Sequence, residues 1–348
     1  MMQLTFLSSI GLATFLALFL AQFPRFLPRA AAAPTPTLLT PAACRRPPSD
    51  LPALSRLRAD LAAWLTAPDE RRDPVVPHEP ESPAQARSRV FRRIMTSWHA
   101  DAVEQLDERQ LQSLWLLREL ISADCCRAGE LAQRFRKPDA VLAIRDRIRE
   151  IDAHHARFEA QRAAFLATSA MWARQSAAAQ DRPLVDALRA LAAPDPDLWH
   201  KVIAEHDLAD PAQASAALWC ARQTGCERAS VALYLSRIAE ADRLSIALRS
   251  GETDWLDGVH AVIRSWNAGV YTGRTIGLAP EDAASHAAPA LSAQLDTLAE
   301  QTGDPRWPEP DDIFVAYHGT AARPRDIWDL RTGRLTAPPR LEHYIEME

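Results

Sequence analysis

Two histidines stand directly after tryptophans, His99 after Trp98 and His200 after Trp199, and a cysteine follows each at the same distance, Cys125 and Cys226. An imidazole and a thiol brought together can serve as two ligands of a soft metal or as base and nucleophile. Either role needs the thiol to ionise in an electropositive, partly open setting. The competing reading is structural. A histidine beside a tryptophan at a helix start is ordinarily a packed ring bonded to a loop carbonyl, and a cysteine within helical sequence is a small buried hydrophobe. The packed reading is the expectation, so no catalytic, cofactor-binding or metal-binding residue is assigned.

Other constellations carry less. Glu150 with His154, and His155 with Glu159, are four apart and so share one helix face, but carboxylate-bridged metal sites need such pairs on several helices. Tyr317-His318-Gly319-Thr320, after the apolar Ile313-Phe314-Val315-Ala316, resembles the first motif of ADP-ribosyltransferases. Only 28 residues follow Thr320, too few for that fold's remaining site strands, so a coincidental strand and turn is expected there. No Gly-rich phosphate loop, His-Glu-x-x-His zinc helix or Gly-x-Ser-x-Gly elbow occurs. The cysteines 44, 125, 126, 220 and 226 are odd in number and lack any C-x-x-C pair, which favours a reducing compartment over a disulfide framework.

The elements that would position these residues are helices. Ala, Leu, Arg, Glu and Gln dominate between prolines, Gly is scarce at 11, and β-branched runs are short, so the body reads as all-α. The 101-residue offset from Trp98 to Trp199 recurs from the string Cys125, Arg127, Ala128 to Cys226, Arg228, Ala229, which reads as a duplication of a helical module. Trp115 and Trp219 lie 104 apart, so the copies differ by about one helical turn. The expected order is a Pro/Ala-rich linker at 30–82 holding a short amphipathic helix at 51–66, a degenerate repeat at 83–150, connecting helices at 151–193, a second module at 194–285, and a C-terminal helix with irregular tail at 286–348. Within it, Ser82-Pro83 should open a helix ending in the stripe Val90, Ile94, Met95, Trp98. Asp124 should start a helix that runs through Leu131 and Phe135 to a break at Lys137-Pro138. Asp197 should cap the helix of Trp199, and Gly225 should end that of Trp219.

The second module resembles the DUF4274 domain, a small bacterial helical family of unknown function. The residues that carry the likeness are Trp199-His200, the string from Cys226 and Glu227 to Ala232, and Gly269-Val270-Tyr271 ahead of Ala279-Pro280. Glu227 stands where the family has Asp, and Ser236 where it has an aromatic. Residues 85–150 resemble a degenerate second copy. The resemblance implies a helical fold and no particular reaction.

Residues 4–23 form a charge-free apolar run of about the length that spans a bilayer as one helix. No positive charge precedes it, whereas Arg25, Arg29, Arg45 and Arg46 follow, which keeps the body cytoplasmic by the positive-inside rule. A signal cleaved near Ala31-Ala32-Ala33, sending the body to the periplasm, and a start codon placed too early are the alternative readings of residues 1–29. A formal net charge of -5 offers no basic face for phosphates, so no nucleic-acid partner is expected. Ten tryptophans exceed what a core of this size needs, and some should anchor an interface. The functional expectation is a non-enzymatic, membrane-anchored module that binds another protein, immunity-like or adaptor-like, without a cofactor. The rival is an enzyme built on the paired His and Cys.

Overall fold

The computed structural model describes residues 51–66, 79–177, 182–278 and 287–345. The apolar run at 4–23 lies outside them, as do Cys44 and Pro280. Among the described residues are twelve α-helices and one two-stranded ladder, so the chain is mostly helical. No described helix is long and apolar enough to cross a membrane. The chain divides into two compact units, one ending at His155 and the other beginning at Ala156.

The first unit is built from locally specified helices. α1 (Leu54–Leu65) buries Leu57, Leu61 and Leu65, a one-face stripe. Ser82 and Gln85 form a capping box at the start of α2 (Pro83–Ser97), and Asp107 with Gln110 does the same for α3 (Glu108–Ser122). Asp124 accepts from the Arg127 amide and opens α4 (Cys125–Ala132). α1 packs on both α2 and α3, and α3 on α4. Their core joins Phe91, Ile94, Met95, Leu111, Leu114, Leu117 and Phe135. α4 ends at Ala132, short of Phe135 and of the break expected at Lys137-Pro138, and Pro138 opens the next helix, its fixed φ suiting a first turn. That helix, α5 (Pro138–Ala177), runs 40 residues unbroken. Arg145 and Arg149 in its first half both donate to the carbonyl of Ala123, at 3.1 and 2.8 Å, which satisfies the carboxyl end of α3.

The second unit surrounds a central helix. After α6 (Leu184–Arg189), α7 (Pro196–Glu205) and α8 (Pro211–Ala221) comes α9 (Arg228–Glu240), of whose 13 residues ten are buried. α7, α8, α10 (Arg243–Ser250) and α12 (Ala287–Thr302) all pack on it, and α11 (Thr253–Asn267) packs on α8 and α10. A helix buried nearly all round is what Val231, Ala232, Leu233, Tyr234, Leu235 and Ile238 in close succession require. Two local expectations are corrected. Asp195, not Asp197, caps α7 by accepting from the Leu198 amide, because Pro196 takes the first helical position and places the cap two residues before Asp197. α8 closes at Ala221, four residues before Gly225, and Gly225 instead lies against the Trp199 ring.

The tail from Pro305 packs back on the second unit. Trp266 donates its indole N–H to the carbonyl of Asp311 at 2.7 Å, and β1 (Trp328–Asp329) pairs antiparallel with β2 (Arg334–Leu335), Trp328 opposite Leu335. Arg325 is the pin. Its guanidinium donates to both carboxylate oxygens of Asp195 at 2.7 and 3.1 Å, to Asp197 at 3.1 Å and to the His343 carbonyl at 2.5 Å, and its face covers the Tyr344 ring. Burial opposes its charge, but the two carboxylates outweigh that and raise its pKa above the usual arginine value.

Candidate functional site

The motif residues of the second module do converge, and their chemistry is spent on holding backbone. Trp199, in the first turns of α7, is buried and meets Trp219 edge to face at 6.3 Å. His200 shares a 2.9 Å hydrogen bond between its Nδ1 and the hydroxyl of Ser230. Cys226 is fully buried, and burial with the neighbouring Glu227 charge drives its thiol far above the range in which a thiolate forms. The Glu227 carboxylate accepts from the Thr275 amide at 2.9 Å and from the Thr275 hydroxyl, and a side chain at Gly273 would strike it. Tyr271 donates to the carbonyl of Ala221 at 2.9 Å, after a turn in which Gly269 takes a φ of 69°. Together these bonds tie the α8–α9 turn to segment 271–278.

The repeat-equivalent residues sit on different backbone. Trp98 follows the last turn of α2 as its C-cap, whereas Trp199 lies early in α7. His99 is exposed with a left-handed φ of 62°, contrary to the helix-start placement expected for it. The physical reason is that α2 is capped at Ser82, sixteen residues before Trp98, whereas α7 is capped at Asp195, four residues before Trp199. Cys125 and Cys126 are exposed at the start of α4, not buried as expected of helical cysteines; Arg127 pairs with Glu130 at 2.7 Å, and Ala128 enters the core with Leu131 and Ala132. Helix starts nevertheless recur, α3 with α8 and α4 with α9, at an offset of 103 residues.

The remaining sequence candidates disperse. Glu150 pairs with Arg147 at 2.9 Å and Glu159 with Arg162 at 3.5 Å, as solvated helix-face pairs. Among the described residues no three His, Cys, Asp or Glu side chains converge as a metal would require. Tyr317 donates its hydroxyl to the Ile313 carbonyl at 2.7 Å, and Thr320 makes a single parallel bridge to Ile276 with Gly277 and Gly319 crossing in close contact. The strand expected before this motif is absent.

The second unit also contains a groove that sequence reasoning missed, with a volume of about 430 Å³. Pro211, Ala214, Ser215, Leu218 and Trp219, one face of α8, line one side together with Arg222 just past its end. Arg243 and the start of α11, Glu252 to Trp255, contribute the other residues with Arg189 and Gly251. Gly258 of α11 lets Leu218 approach so closely that an added Cβ would lie 2.6 Å from it. Arg243 pairs with Glu252 at 2.6 Å and stands 4.6 Å over the Trp255 ring. Trp219 is half-buried and Arg222 exposed, the two residue types most enriched among binding anchors. The periodicity of the α8 face was visible in the sequence, but its partners Arg243 and Trp255 lie 21 and 33 residues beyond Arg222, and only folding joins them. No family model, curated protein or solved structure matches the chain.

Proposed function

We propose that the chain is a non-enzymatic, membrane-anchored helical module that binds another protein, of immunity-like or adaptor type, with the groove along α8 as its docking site. Residues 4–23 serve as the anchor and the body faces the cytoplasm. The observation that carries the binding role is the half-buried Trp219 beside exposed Arg222 on a concave face of suitable size. Cys220, Cys226 and Tyr234 are sealed in the core of the second unit. The 103-residue recurrence of helix starts supports two related modules, and the DUF4274 likeness of the second rests on its motif residues.

A photo-crosslinking amino acid at Ser215, with a control at exposed Glu300, tests the docking in native cells. One protein should be captured from Ser215 and not from Glu300, and Trp219→Ala should remove the product. Equal capture from both positions, or none from Ser215, overturns the reading. Reporter fusions placed after residue 50 test the topology: activity of a cytoplasmic reporter is expected, and activity of a periplasmic one defeats it.

A further inference from the structure

We propose that the adjacent thiols of Cys125 and Cys126 form a two-coordinate site for a soft monovalent cation, Cu(I). The site lies in the first unit and does not depend on the docking reading above.

Exposure is the first observation. Cysteine is ordinarily among the most buried residues, as Cys220 and Cys226 are here, yet Cys125 and Cys126 both face solvent in the first turn of α4. The core contribution of this helix comes from Ala128, Leu131 and Ala132 instead. Packing therefore gives no reason for two thiols at consecutive positions, whereas a shared ligand does.

Spacing is the second. Successive side chains of a helix diverge by about 100°, which carries consecutive Cβ atoms beyond the roughly 3.5–4.5 Å that a disulfide needs. A linear ion with bonds to sulfur of about 2.3 Å holds the two sulfurs about 4.6 Å apart. Rotation about χ1 can meet that wider separation without moving the backbone.

Donor chemistry is the third. Thiolates select soft ions such as Cu(I) over hard ones. Zinc asks for four ligands, and among the described residues no third His, Cys, Asp or Glu converges with the two thiols. Binding releases both thiol protons to solvent, so the bis-thiolate copper centre carries one negative charge. The guanidinia of Arg145 and Arg149, which meet at the carbonyl of Ala123 two residues before Cys125, bring positive charge to that end of α4. Cu(I) is the state of copper in a reducing compartment, the setting that unbridged cysteines favour. An exposed two-coordinate centre is open to attack by a third thiolate, so the ion is carried and exchanged rather than held for catalysis.

The test is competition for Cu(I), supplied without oxygen as its acetonitrile complex, between the full chain in detergent and the chelator bicinchoninate. The chain should withdraw one equivalent, and copper X-ray absorption should show two sulfur neighbours. Cys125→Ser and Cys126→Ser, both at exposed positions, should each weaken binding about 100-fold, as loss of one of two tethered ligands implies. Cys44→Ser should leave it unchanged. No withdrawal from the chelator, binding that survives either of the first two substitutions, loss of binding in Cys44→Ser, three or more sulfur neighbours, or Zn(II) bound as tightly as Cu(I) overturns the proposal.

Discussion

The two units bury different things. The first fills its core with Leu, Ile, Phe and Met from amphipathic stripes, and three of its helices, α2, α3 and α4, are capped by side chains three residues from the amides they serve. The second buries Asp195, His206, Gln213, Glu227, Arg243, Gln294 and Arg325, and satisfies several of them across long stretches of sequence. Arg325 reaches Asp195 over 130 residues, and Gln294 joins the Ala239 carbonyl, at 2.6 Å, to the Leu244 amide, at 3.2 Å. Local stripes and caps suffice where helices follow one another. Where a tail and an irregular segment must be fixed to a helical body, buried polar bonds set their place, because an unsatisfied partner is so costly.

The strongest way to break this contrast is Arg325→Ala. Removing the guanidinium leaves Asp195 and Asp197 buried without their cation, a loss of about 3–5 kcal/mol. In urea titration, labelling of the buried Cys220 and Cys226 should begin at much lower denaturant than in the parent chain. An unchanged labelling midpoint would show that the pin is dispensable. Two substitutions at the irregular segment come next. Glu227→Ala strips the acceptor from the Thr275 amide and hydroxyl, and should cost about 1–3 kcal/mol by the same titration. Gly319→Ala forces a methyl group to within 2.6 Å of the Gly277 amide nitrogen and should cost a similar amount, about 1–3 kcal/mol.

A smaller effect follows from pH. Burial lowers the pKa of His206 below its ordinary 6.5, against the hydrogen bond to Ile203 that favours the charged form. With the folded value depressed, its contribution to stability is full above the unfolded value and is lost as pH falls through the folded one. Thermal melts from pH 7.5 down to 5 should show the second unit weakening, with a shallower slope in His206→Gln; parallel slopes would remove His206 as the cause. The smallest perturbation is chemical labelling of the native chain. Cys125 and Cys126 should react at once with a thiol reagent while Cys220 and Cys226 stay protected, as peptide mapping would show.

Much of the first unit was legible because its determinants are local. Ser82-Pro83 and Asp124 announce helix starts within four residues, and the Leu57, Leu61, Leu65 stripe needs no distant partner to be read as a face. The motif residues Trp199, Cys226, Glu227 and Tyr271 were also visible as a set, but their task was not. Glu227 looks like a displaced acid in sequence and becomes a clamp only when Thr275, 48 residues on, supplies two donors. His99 and His200 share a sequence context and not a conformation, since caps far upstream decide which part of a helix each occupies.

Helical class, most helix starts, and the split between apolar stripes and polar faces were determined by the sequence alone, because the 3.6-residue period and the caps act within a turn or two. Which thiols are sealed, how the tail is pinned by Arg325, and that Trp219, Arg222, Arg243 and Trp255 line one groove were decided only by tertiary structure. The reason is that burial and charge pairing depend on residues tens to more than a hundred positions apart, whose meeting no local pattern encodes.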